Sequence, residues 1–177
     1  PTGARCAQRP GNVVIEREPD AAMREALARW TRAATRNGNH FWAQISHAGR
    51  QTQKAVNPHP KAPSAVKLGL PGGQFGQPVA LTEEEILNII ARFGTAARVC
   101  KETGFTGVQI HAAHGYLFSQ FLSPRANLRD DRGLGSEGRG ALAQLPGVGL
   151  GAKGADLHHV TAAGRGRVHP QDRRDLA

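Results

Sequence analysis

The chain has 177 residues, enough for one domain with a real core, and carries a formal net charge of +9. Its basic residues are scattered through the first 131 positions and lie among glycines without interleaved aromatics after them, which argues against a specific nucleic-acid surface and leaves non-specific anion binding to the basic tail. No apolar run is long enough for a membrane span, Pro1 to Asp20 has no signal-peptide core, and Cys6 and Cys100 give neither a disulfide framework nor a metal spacing, so the composition fits free thiols in a reducing cytoplasm.

Residues 1–8 show no periodicity and stay unassigned; the chain opens on Pro1 rather than Met, as a piece of a longer reading frame would. Arg9 to Ile15 ends in a short extended run. From Asp20 to Arg36 the apolar positions Met23, Leu27, Trp30 and Ala34 recur every three or four residues, which predicts an amphipathic helix ended by Asn37, Gly38 and Asn39. His40 to Ser46 is an aromatic and β-branched run of strand type. A long loop follows, His47 to Leu81, rich in Pro, Gly and Lys, either a substrate lid or an irregular surface connection.

Thr82 is a good N-cap, with Glu84 and Glu85 near the positive end of the helix dipole. Ile86, Ile89, Ile90, Phe93, Ala97 and Cys100 then continue a helical stripe to a stop at Gly104. Val108 and Ile110 are the β-branched positions of a buried strand that ends at His111. Tyr116, Leu117, Phe118, Gln120, Phe121 and Leu122 read as one or two helical turns stopped before Pro124. This alternation is that of a parallel α/β protein. After Asp131 the chain is filled with Gly and Arg and lacks Ile, Phe, Trp, Tyr and Met, a composition that predicts a disordered or irregular tail over 132–177.

Chemistry gathers where the Val108–Ile110 strand ends. His111, His114 and Tyr116 fall within six residues, and a tight turn can present both imidazoles to one acceptor. Two structural histidines, or a zinc site completed by His47, are the other readings of the same spacing, although no carboxylate or cysteine stands nearby. Arg50 reads as an arginine that fixes the loop or pairs with a neighbouring carboxylate, and Arg125, Asn127 and Arg129 read as solvated surface ahead of a lining for the entrance.

IHAAHGYLFSQFLSP at 110–124, together with QISHAGRQ at 44–51, closely resembles the Old Yellow Enzyme family of flavin-dependent ene-reductases, also described as NADH:flavin oxidoreductases. The resemblance runs from about Arg9 to Asp131. It implies a partial (β/α)8 (TIM) barrel, roughly strands 3 and 4 with their helices, since a closed barrel takes about 250 residues. It implies FMN as cofactor, NAD(P)H as reductant, and a small enone or enal as substrate, with homo-oligomerisation left open. By the same resemblance His111 and His114 hydrogen-bond the substrate carbonyl, Tyr116 is the proton donor, and Gln44 with His111 contacts the flavin. Asn127, Arg129 and Asp130 still fit the family pattern, whereas Gly133 to Glu137 are a scrambled echo of it. That break places a change of reading frame near Asp131 and gives the alternative of an inactive remnant; one uninterrupted frame on resequencing, with no family pattern in the other two, would refute it.

Overall fold

A computed structural model describes residues 11–130. The segment 1–8, Cys6 and the tail after Asp131, with the frame change and anion binding expected of it, lie outside these residues. Helix α1 spans Ala21–Thr35, and its N-cap Asp20 accepts the Met23 N–H at 2.8 Å. Leu27 and Thr31 are its buried residues. Trp30, expected on the core face, is 52% exposed and instead meets Phe41 and Phe105 edge-on at 5.1 and 6.0 Å. Thr31 takes the inward place because its hydroxyl reaches the Thr103 carbonyl, where Gly104 turns the chain with φ +95.

Strand β1 (Trp42–Ile45) is shorter than the His40–Ser46 run, and a two-residue pair, β2 (Lys61–Ala62) and β3 (Val79–Ala80), stands apart from it. Helix α2 (Glu83–Glu102) leads into strand β4 (Gly107–Ile110), which pairs with β1 in parallel, Gln44 opposite Gln109. The β1–α2–β4 order is thus one parallel βαβ unit. Along β1 the pleat exposes Trp42 and Gln44 and leaves Ala43 and Ile45 half-buried. Trp42 lies over Gly107, where a Cβ would come within 2.8 Å of the indole.

Helix α2 starts on a complete capping box: Glu85 N–H donates to Thr82 Oγ1 at 3.2 Å, and Glu85 Oε2 accepts the Thr82 N–H at 2.9 Å. Glu85 also pairs with Lys61 at 2.5 Å, and that bond holds its carboxyl below the usual carboxylate range. Ile89, Ala96, Val99 and Cys100 face inward, while Leu87 and Ile90 are 61% and 59% exposed. Burial pushes the Cys100 thiol up, so it stays protonated.

The core joins Leu81 and Ile89 to Leu117 and Phe121 of α3 (Leu117–Leu122), with Ile86 and Phe93 packed against it. Each such side chain contributes roughly 1.5–3 kcal/mol when fully buried. This cluster seats α3, the helix that follows the strand-end histidines, on α2.

The long loop is tied rather than irregular. Besides the β2–β3 pair it holds a 3-10 turn at Gly49–Gln51 and an antiparallel bridge between Gln53 and Phe75. Arg50 Nη1 donates to the Val66 carbonyl at 3.3 Å, as the loop-fixing reading of this arginine requires. Arg129 Nη1 donates to the carbonyls of Leu81 and Pro63, and Leu128 N–H to Ser64 Oγ. Asn127 is 5% exposed and donates to the Phe121 carbonyl at 2.9 Å. Solvated surface is therefore the wrong description of Asn127 and Arg129, which bind the loop and the end of α3.

Candidate functional site

The last turn of β4 delivers the candidate residues. The His111 N–H continues the sheet by donating to the Ile45 carbonyl at 2.9 Å, and the buried Ala112 and Ala113 then bring the chain to a reversal. That reversal is left-handed: φ is 55 at His114 and 74 at Gly115. A non-glycine residue held there stores roughly 1 kcal/mol or more of backbone strain and needs outside support. Gln51 provides it, donating from Nε2 to the His114 carbonyl at 2.7 Å, and a Cβ on Gly115 would lie 2.4 Å from the same nitrogen. Tyr116 then serves as N-cap of α3.

The turn gathers three rings. His111 and His114 have centroids 5.3 Å apart, and His111 and Tyr116 4.7 Å apart, both pairs edge to face. His111 is 8% exposed, whereas His114 is exposed and Tyr116 half-buried. An enclosed imidazole is thus flanked by an accessible imidazole and a phenol.

Gln44 does not join those rings. It stands one strand away, exposed, its Nε2 donating to Gln109 Oε1 at 2.8 Å across the parallel register. The amide oxygen of Gln44 can still accept from a ligand N–H. Gln109, two residues before His111 in sequence, is the register partner of Gln44.

His47 has a structural place. Its Nδ1 accepts the Gly49 N–H at 3.0 Å and its carbonyl accepts the Leu117 N–H at 2.9 Å. Burial, with the Arg92 guanidinium adding to it, lowers its pKa to about 4, so the ring is neutral near pH 7. The zinc reading that included His47 has no cluster to rest on: among the described residues no three His, Cys, Asp or Glu meet as a metal site. A cavity of about 450 Å³ opens between β1, α1 and α2, lined by residues including Leu27, Trp30, Ile45, His47 and Phe93, but not by the His111, His114 and Tyr116 rings.

Two glutamines missing from the sequence-based set complete the geometry. Gln51 directly follows the HAGR run, and its support of His114 is a contact across 63 positions that no local pattern reports. Gln120 had a legible signal, because its spacing from Leu117 and Phe121 puts a polar residue on their apolar face. It is 1% exposed and bonds Ala48, Arg50 and Gly115.

Residues 16–141 match the NADH:flavin oxidoreductase / NADH oxidase family, a stretch that begins at Glu16 and runs past Asp131. The chain is 46% identical over 110 residues to the NADH-dependent flavin oxidoreductase nadA of Aspergillus parasiticus, covering 61% of this chain and 25% of that protein. It is 43% identical over 114 residues to an NADPH dehydrogenase of Listeria innocua, covering 64% and 32%. Among solved structures it is similar to morphinone reductase, with TM-score 0.59, 30% identity, and coverage of 69% of this chain and 37% of that one. It therefore spans about a quarter to a third of the length of these two curated relatives. Among the described residues no helix is long and apolar enough to cross a membrane.

Proposed function

Because the chain belongs to the NADH:flavin oxidoreductase / NADH oxidase family, whose cofactors are FMN and NAD(P)H, we propose that it forms the substrate-polarising wall of an FMN-dependent ene-reductase. The substrate class we assign is an activated alkene, an enone or enal. The observation that carries this reading is the ring cluster of His111, His114 and Tyr116 at the carboxyl end of β4, where parallel α/β barrels place their chemistry.

The donor set fits the flavin. A pyrimidine edge alternates N–H and C=O, and the exposed Gln44 amide beside Gln109 is a neutral, planar partner for it, with His111 next along the sheet end. When bound, FMN supplies the two-electron carriage between nicotinamide and alkene.

The chain's own groups account for the rest. His111 and His114 donate N–H bonds to the substrate carbonyl oxygen, pulling electron density toward it so that the β-carbon becomes electrophilic. Negative charge then grows on that oxygen, and loss of one such donor in comparable sites costs roughly 10²–10³ in rate. Tyr116 gives its phenolic proton to the α-carbon, and solvent restores it. A phenol suits this step because it is neutral at pH 7 and still acidic enough to donate. The same reading gives small-molecule partners, no specific nucleic acid, self-association left open, and a cytoplasmic setting in which Cys100 remains a free thiol.

The test is turnover of NAD(P)H and cyclohexenone by the chain in excess FMN. Tyr116→Phe is expected to lower alkene reduction by about 10²–10⁴ while leaving bleaching of the flavin by NAD(P)H nearly unchanged. Alkene reduction at the unmodified rate would remove Tyr116 from the assigned role.

A further inference from the structure

We infer that Gln120 is a positioning residue of this site, a buried amide that, beside Gln51, locks the loop after β1 to the turn after β4. The inference rests on the functional reading above for its consequence, but its geometry stands apart from it. Gln120 is 1% exposed and sits on the same face of α3 as Leu117 and Phe121. A primary amide buried there is tolerated only if its polar atoms are bonded.

Its bonds divide between the two loops. Nε2 donates to the Ala48 carbonyl at 3.1 Å and to the Gly115 carbonyl at 2.6 Å, and Oε1 accepts the Arg50 N–H at 3.2 Å. Ala48 and Arg50 follow β1, whereas Gly115 lies between His114 and Tyr116. Gly49, between Ala48 and Arg50, has φ +58, and a Cβ there would lie 2.2 Å from Gln120 Oε1. The amide thus occupies the space that any other residue at 49 would fill. Gln120's own N–H donates to the Tyr116 carbonyl at 2.8 Å, so the amide moves with the helical turn that Tyr116 begins.

The amide chemistry is specific. Two N–H groups and one carbonyl match two backbone carbonyls and one backbone N–H. A glutamate carboxylate would oppose the Ala48 and Gly115 oxygens, and leucine would take the side-chain partner from the Gly115 carbonyl and the Arg50 N–H, leaving the Ala48 carbonyl only the Gln51 N–H. Displacing the amide would leave the His114–Gly115–Tyr116 turn held to the β1 side only by the Gln51–His114 and Leu117–His47 bonds, loosening the donors that must converge on one oxygen.

The test is NMR on the isotopically labelled chain without cofactor, comparing wild type with Gln120→Leu and Gly49→Ala. The second variant keeps the amide and pushes it aside. In the wild type, ring-to-ring NOEs should link His111 with Tyr116 and with His114. In both variants those NOEs should disappear, while NOEs across the Ala43–Val108 register and the helical circular dichroism persist. Ring NOEs retained in folded variants, absent from the wild type, or lost only with the whole fold in both variants would each overturn the proposal, the last by making Gln120 a general stability residue. No flavin or substrate enters this test, so its outcome is separable from failure of the proposed reduction.

Discussion

At the scale of single residues, the same side-chain chemistry takes different roles according to burial. His47 and His114 are both imidazoles in the loops at the sheet's end, yet His47 is 6% exposed and serves as a backbone acceptor while His114 is open to solvent. The His47 pKa falls from 6.5 to about 4 on folding, so between those values the unfolded chain binds the extra proton. Its contribution to stability is complete above pH 6.5, shrinks as pH falls, and is gone below pH 4. At about 1.36 kcal/mol per pKa unit the full loss is on the order of 3 kcal/mol. Urea midpoints taken across this range should therefore decline more steeply for the wild type than for His47→Gln, and parallel curves would show that the ring titrates normally in the fold. The sequence reveals His111, His114 and Tyr116 because they crowd together just beyond a β-branched strand. It marks Gln120 as a polar residue on an apolar face but hides what Gln51 and Gln120 hold, because their partners across the two loops lie 63 to 72 residues away.

At the scale of elements, helix α2 and the loop before it respond oppositely to the same substitution. Gly94 sits inside α2 with nothing within 4 Å of its missing Cβ, so Gly94→Ala should stabilise the chain by about 0.5–1 kcal/mol. At Gly76 a Cβ would meet the Pro58 carbonyl oxygen at 2.4 Å, beside the Gln77 N–H to Pro58 bond of 2.9 Å. Gly76→Ala must shift backbone and should cost about 1–3 kcal/mol. Paired chemical denaturation decides both signs, and destabilisation by Gly94→Ala would contradict the open space. These two cases also mark what was legible. The α2 cap and inward stripe are local signals in Thr82, Glu85, Ile89 and Cys100. The loop reads as a lid or an irregular connection because its order comes from short strand pairs and from distant ties through Arg50 and Arg129, and the apolar period cannot foresee that Thr31, rather than Trp30, would face the core. Removing the distal tie with Arg129→Gln should raise the rate of proteolytic cutting within 63–80, and an unchanged rate would mean that the β2–β3 pair and the remaining ties hold the loop without Arg129.

At the scale of the whole molecule, the described residues hold one parallel βαβ unit of the family's barrel, with β1 and β4 pairing only with each other among the named strands. Within that unit the rings of His111, His114 and Tyr116 gather beyond β4 while Gln44 and Gln109 pair within the sheet, so the proposed flavin contacts can be tested on this chain directly. The decisive measurement is titration of the labelled chain with FMN, following the side-chain amides of Gln44 and Gln109 and the His111 ring by NMR. Saturable shifts confined to these groups, with α1 unmoved, are the predicted result. No shift at excess FMN, or shifts spread over the basic surface instead, would contradict the assignment of this sheet end as a flavin and substrate site.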